Sequence, residues 1–133
     1  MPVYAQVSDL IDRYGEQEII QLTDRATPPI GNIDTTVAER ALSDADAEID
    51  AYLSGRYSLP LASVPPVLTR VACDIARYRL WDDQAPEEVR SRYEDARRLL
   101  ESLSAGRVTL GPAQGASGVQ YTAPVRVMRD LGY

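Results

Sequence analysis

The sequence predicts a mainly α fold, a small bundle of about four helices followed by an extended, partly β C-terminal arm. Three observations predict it. Apolar residues recur at helical spacing through two long segments, 34–54 and 86–105. Breaker-rich stretches, TPPIGN at 27–32 and YSLPLASVPP at 57–66, separate the periodic segments. Beyond residue 105 the period stops, and glycine and proline recur. A chain of 133 residues fits one compact domain with a terminal extension, here a helical domain over 1–105 and an arm over 106–133.

Each element has a local reason. Ser8 is placed to cap a first helix, with Leu10, Ile11 and Tyr14 on one face. Gly15 interrupts it, and EQEIIQL continues as a short second piece ending near Thr23. A long helix is expected from Asp34 or Thr35 to Ser54, with Val37, Ala41, Ala45, Ile49, Tyr52 and Leu53 inward. Gly55 stands where a C-terminal cap belongs. Pro60, Pro65 and Pro66 keep the linker out of a helix. The next helix starts at or just before Pro66, which suits a first turn, and runs to about Trp81. Its inward residues are Leu68, Val71, Ala72, Ile75 and Tyr78. Pro86 opens the last helix, which ends near Ala105 with Gly106 as its cap. Val89, Tyr93, Ala96, Leu100 and Leu103 make its stripe. Glu88–Arg92 and Glu94–Arg98 are acid-first i,i+4 pairs, each worth about 0.3 kcal/mol.

The remainder reads differently. VTL, VQYT and VRVM are short β-prone runs among glycines and prolines, and GPAQGASG reads as a hinge. Residues 1–105 hold 11 Arg against 19 acids, a balance of −8; residues 106–133 hold three Arg against one Asp, +2; the sum is the net −6. A mildly basic arm on an acidic body can fold back, dock on a neighbouring subunit or meet an acidic partner. The sequence leaves all three open.

Composition narrows the chemistry. With no Phe, one Trp and eight Tyr, the aromatic surface is amphipathic and suits core edges and interfaces. Every basic residue is Arg, which reflects either base composition or contact with carboxylates and phosphates. The net charge argues against a general nucleic-acid binder. Without His, a Ser-His-Asp arrangement is excluded and acid–base catalysis near neutrality lacks its commonest agent. The single Cys73 excludes an intrachain disulfide and a cysteine-based zinc site, and reads as a small buried hydrophobe. Asp44-Ala-Asp46-Ala-Glu48 resembles the opening of a calcium loop, but Ile49 and Gly55 occupy the sixth and twelfth positions, where Gly and Glu are required. These acids read instead as two solvated rows beside the seam, Asp44 with Glu48 and Asp46 with Asp50. Neither GxGxxG nor GxxxxGK[ST] occurs. The expectation is a structural protein, with no enzyme activity, cofactor or metal. MPVYAQVSDL has no signal-peptide pattern and no segment approaches ~20 apolar residues, so cytoplasmic synthesis and no membrane partner are expected.

The least generic stretch is Ile49–Leu61, IDAYLSGRYSLPL. Ile49, Tyr52 and Leu53 are expected to close the seam and Gly55 to stop the helix. Arg56 and Tyr57 are expected to present polar groups at the corner, and Leu59-Pro60-Leu61 to turn the chain. This stretch, YxxxxDLxxRYG at Tyr4–Gly15, AxDIARYxLW at Ala72–Trp81 and RYEDARRLLESLSAGRVTLG at Arg92–Gly111 together resemble the Mu-like phage head–tail adaptor family. The resemblance covers about residues 3–111 and the arm much less well. It implies a virion subunit at the neck, assembled as a homo-oligomeric ring, commonly a dodecamer, beneath the portal protein. Such a ring extends the DNA channel, lets double-stranded DNA pass without specific binding and docks a stopper or tail-completion protein. Candidate fold or interface residues are Tyr52, Arg56, Tyr57, Pro60 and Trp81. Candidate arm-docking residues are Arg107, Tyr121, Arg126, Arg129 and Tyr133. The alternative is a small DNA-binding or DNA-packaging accessory protein. That role needs a basic recognition helix, whereas Arg90, Arg92, Arg97 and Arg98 are offset by Glu87, Glu88, Glu94, Asp95 and Glu101.

Overall fold

The computed structural model describes residues 2–110. The arm candidates Tyr121, Arg126, Arg129 and Tyr133, with the VQYT and VRVM runs, lie outside the described residues. The elements are α1 (Val7–Tyr14), α2 (Glu16–Thr23), α3 (Thr35–Leu53), α4 (Pro66–Trp81), a 3-10 turn (Asp82–Gln84) and α5 (Glu87–Ala105). There are thus five helices rather than about four. Gly15, at φ 92, separates α1 from α2 as two distinct elements. No strand occurs among the described residues, and the β-prone VTL at 108–110 is irregular.

Capping explains most of the boundaries. Asp34 caps α3 by accepting from the amides of Thr36 and Val37, at 3.1 and 3.3 Å. The cap of α1 is Gln6 rather than Ser8. Asp9 reaches back to accept from the Gln6 amide at 2.8 Å, and Ser8 falls inside the first turn. Gly55 is not a left-handed stop for α3. Ser54 keeps helical angles, φ −61 and ψ −24, and the amides of Arg56 and Tyr57 both donate to the Leu53 carbonyl, at 3.0 and 2.9 Å. Gly106 does close α5 as expected, at φ 80, with the Arg107 amide donating to the Ser102 carbonyl at 2.9 Å.

Helices α3, α4 and α5 pack on one another, and α1 and α2 lie against α3 and α4. The middle helix is α4, buried on every side from Val71 to Arg77. The α3 stripe is Ala38, Ala41, Leu42, Ala45, Ile49 and Leu53, with Val37 and Tyr52 only partly covered. On α5 the expected stripe holds: Val89, Ala96, Leu100 and Leu103 are buried and Tyr93 packs at the edge. Each fully buried Leu or Ile in this core stabilises the fold by about 1.5–3 kcal/mol.

Candidate functional site

Of the two acidic rows of α3, Asp46, Glu48 and Asp50 are internal braces, while Asp44 stays on the solvated edge as expected. Asp46 accepts the amides of Val3 and Tyr4, at 2.7 and 3.2 Å. The Tyr4 hydroxyl donates to Asp50, and Thr69 on α4 donates to the Tyr4 carbonyl at 2.8 Å. The N-terminal residues therefore strap α3 to α4. Burial, reinforced by Asp50, pushes the Tyr4 hydroxyl well above its ordinary range. Burial also raises the Asp46 carboxyl, against the pull of the two amides. On the other row, Glu48 accepts from Arg79 at 2.7 Å and from the Tyr93 hydroxyl at 3.1 Å, joining α3, α4 and α5. The Tyr93 ring stacks on Tyr78 at 4.2 Å, with planes 5° apart.

A second network was not visible in the sequence. Asp74, buried within α4, accepts from the Tyr14 hydroxyl at 2.6 Å and pairs with Arg70 at 3.6 Å. One turn on, the Arg77 guanidinium lies 4.2 Å from the centre of the Tyr14 ring. Arg77 grips Glu18 of α2 with two hydrogen bonds, at 2.6 and 3.1 Å, and the Trp81 indole donates to the same carboxylate at 3.3 Å. The available signal was Asp74 and Arg77 standing among the apolar positions of α4. Cys73 is buried beside them, and burial pushes its thiol up to about 12, so it is an inert packing residue.

The corner residues divide. Tyr52 lines a shallow cleft of about 580 Å³ with Asp44, Ala47, Glu48, Arg79, Tyr93 and Arg97. Pro60 is exposed in the connection between α3 and α4. Tyr57 does not present a polar group outward: its ring is 5% exposed, and its hydroxyl accepts from the Leu110 amide at 3.1 Å. The covered site outcompetes the surface because that amide satisfies the hydroxyl. The Arg56 guanidinium lies over the α5 cap, where a Cβ on Gly106 would sit 2.7 Å from its central carbon. Gly106 is thus fixed both by its left-handed angle and by this approach. Arg107 is exposed there, its guanidinium 3.5 Å from the Ser102 hydroxyl. The structure gathers Arg56, Tyr57 and Arg107 at one end of the bundle. Trp81 stands at the far end of α4, about 22 Å from Pro66 along a helix rising ~1.5 Å per residue.

The outer face of α5 is a ladder of ion pairs. Glu88 meets Arg92 at 3.0 Å as expected. Glu94 instead takes Arg97 at 2.7 Å, and Arg98 takes Asp95 at 3.0 Å, because i,i+3 neighbours share that face. Among the described residues no group of three His, Cys, Asp or Glu is arranged to hold a metal. No described helix is long and apolar enough to cross a membrane.

The comparisons with known proteins agree with the motifs in the sequence. The family model described as "Bacteriophage Mu, Gp36" matches residues 4–129, so the match runs well into the arm. The chain is 41% identical over 111 residues to the Mu-like prophage FluMu protein gp36 of Haemophilus influenzae, covering 84% of this chain and 77% of that relative. It is also 41% identical over 108 residues to gene product J of Escherichia phage Mu, covering 81% of this chain and 76% of that protein. The chain belongs to the bacteriophage Mu gp36 family.

Proposed function

We propose that the chain is a non-enzymatic structural subunit of the virion, a head–tail adaptor at the neck that assembles as a ring beneath the portal protein. The ring extends the DNA channel and offers the docking surface for a stopper or tail-completion protein. Family membership sets the phage context. The observation that carries the reading is the convergence at one end of the bundle. There the α3 corner, the α5 cap and the root of the C-terminal segment are tied together by the Tyr57–Leu110 bond and the Arg56–Gly106 contact. A braced helical block with a segment leaving from a fixed point suits a part that holds position while gripping a neighbour.

Against the DNA-binding alternative stands the α5 face, whose arginines Arg90, Arg92, Arg97 and Arg98 each have a carboxylate on their own helix. A helix neutralised in this way offers phosphates little net attraction. Double-stranded DNA is expected to pass an acidic wall without sticking. The test is co-expression with the portal protein, followed by class averages of the purified complex. Rings on the portal are expected. A chain that stays monomeric and never joins the portal overturns the reading. Deleting 111–133 is expected to leave the helical block folded while weakening its association with the portal.

A further inference from the structure

Between α1, α4 and α5 lies a polar cleft of about 410 Å³ lined by Arg13, Tyr14, Arg70, Asp74, Arg92 and Asp95. Three guanidinium groups from three helices converge there. Asp74 is already committed to Tyr14 and Arg70, and Asp95 to Arg98. Arg92 shares its charge with Glu88, and both side chains are more than half exposed. Arg13 is exposed and forms no ion pair or side-chain hydrogen bond among the described residues. The cleft therefore holds donor capacity that its own carboxylates do not use.

The complementary feature is on the same chain. The 3-10 turn after α4 presents Asp82 and Asp83, both exposed. Nearly all acids near an arginine on α5 are paired, and Asp46, Glu48 and Asp50 are braces. Among the described residues, Asp82 and Asp83 are the one sequence-adjacent pair of carboxylates with neither an ion pair nor a side-chain hydrogen bond. The turn lies at one end of α4 and α5, whereas the cleft opens on their flank beside α1. Twelve residues, about 18 Å at ~1.5 Å per residue, separate Arg70 from Asp82 along α4, so a copy's own turn lies away from its Arg70, whereas a second copy set head to tail can present its turn to the cleft.

We infer that the Arg13–Arg70–Arg92 cleft of one copy receives the Asp82–Asp83 turn of the next, a heterologous contact that closes when repeated around an axis. The inference rests on the ring reading above and names its contact. Guanidinium forks match carboxylates bidentately, which fixes the angle between neighbours as well as holding them. The body of the chain is strongly acidic, so copies repel one another at long range. Screening limits that repulsion to ~8 Å at physiological salt, inside which the matched patches act. The occupant is a pair of carboxylates rather than a DNA backbone, because Asp74 and Asp95 stand in the cleft and the acidic body repels a polyanion.

The test uses two full-length variants assembled on the portal protein. One carries Arg13→Glu with Arg92→Glu, and the other Asp82→Asn with Asp83→Arg. Each alone is expected to lose ring formation, since like charges then face each other. An equal mixture is expected to regain it, because acidic clefts then meet basic turns and basic clefts meet acidic ones. Circular-dichroism melts check that each variant folds. Should either double variant unfold, the single exposed changes Arg13→Glu and Asp83→Arg repeat the mixing test. Rings from either variant alone, or no recovery on mixing folded variants, overturn the inference while leaving the ring reading standing. Intact rings with loss of duplex-DNA binding in the arginine variant overturn it in favour of a phosphate site. A wild-type chain that forms no ring removes both readings.

Discussion

Arg77 on α4 and Arg98 on α5 carry the same charge on adjacent helices, yet their surroundings are opposite. The Arg77 side chain is 10% exposed, grips Glu18 with two bonds and covers the Tyr14 ring. The Arg98 side chain is 71% exposed and reaches only Asp95, three residues away on its own helix. The first pair joins two helices and fills space that hydrophobes would otherwise fill. The second decorates a solvated face. What a charge contributes here follows from which helix is central, not from the charge itself.

Truncating the centre of α4 is the strongest way to test that contrast. Ile75→Ala removes a fully buried side chain and is expected to destabilise by about 3–4 kcal/mol in urea unfolding. Leu99→Ala, at the partly covered edge of α5, is expected to cost clearly less; equal losses would break the contrast. Next comes Arg77→Ala, expected to cost about 2–3 kcal/mol because Glu18 is left half-buried with only the Trp81 indole as donor. A double variant with Glu18→Gln should lose less than the sum of its parts, read from a double-mutant cycle. If the losses simply add, the pair is not coupled.

Alkaline titration sharpens the same difference. Burial raises the hydroxyls of Tyr4 and Tyr14 above their ordinary value of 10.0, and lifts the Cys73 thiol from 9.0 to about 12. The folded chain therefore holds these protons more tightly than the unfolded chain. Their contribution is complete below pH 9 and is lost progressively as pH rises, from 9 towards about 12 for Cys73 and from 10 upward for Tyr4 and Tyr14. Melting temperature should fall across that range, and Tyr14→Phe should make the fall shallower. An unchanged slope in that variant would remove Tyr14 as a contributor. The smallest effect is expected from Arg98→Ala, within about 0.5 kcal/mol of the parent. A larger loss would show the α5 face to be structural.

The long helices were legible because periodicity and caps agree. Pro66 opens α4 and Gly106 closes α5 as their chemistry demands. The expected α3 stripe omits Ala38 and Leu42 because the buried stripe is centred one position later than Val37 and Tyr52 suggest. Gly55 misled because a glycine after a helix matters only where the backbone turns left-handed, and here backbone bonds to Leu53 complete the turn. The braces around Asp46, Glu48 and Asp74 were not legible. Each joins residues more than 30 positions apart, and local pattern carries no record of such partners. Tyr57 reads as an outward residue for the same reason, since the Leu110 amide that satisfies it lies 53 residues on.

Segments outside regular helices are usually where a folded protein starts to come apart. The strap at Val3 and Tyr4 reverses that order here. Its amides are clamped by Asp46, its carbonyl is held by Thr69, and the Tyr4 side chain is 4% exposed. Opening this edge means separating the groups that hold α3 to α4, so it should open only with the core. In hydrogen exchange the Tyr4 amide should then behave like an interior position, slower than the amides of the exposed loop around Ile30.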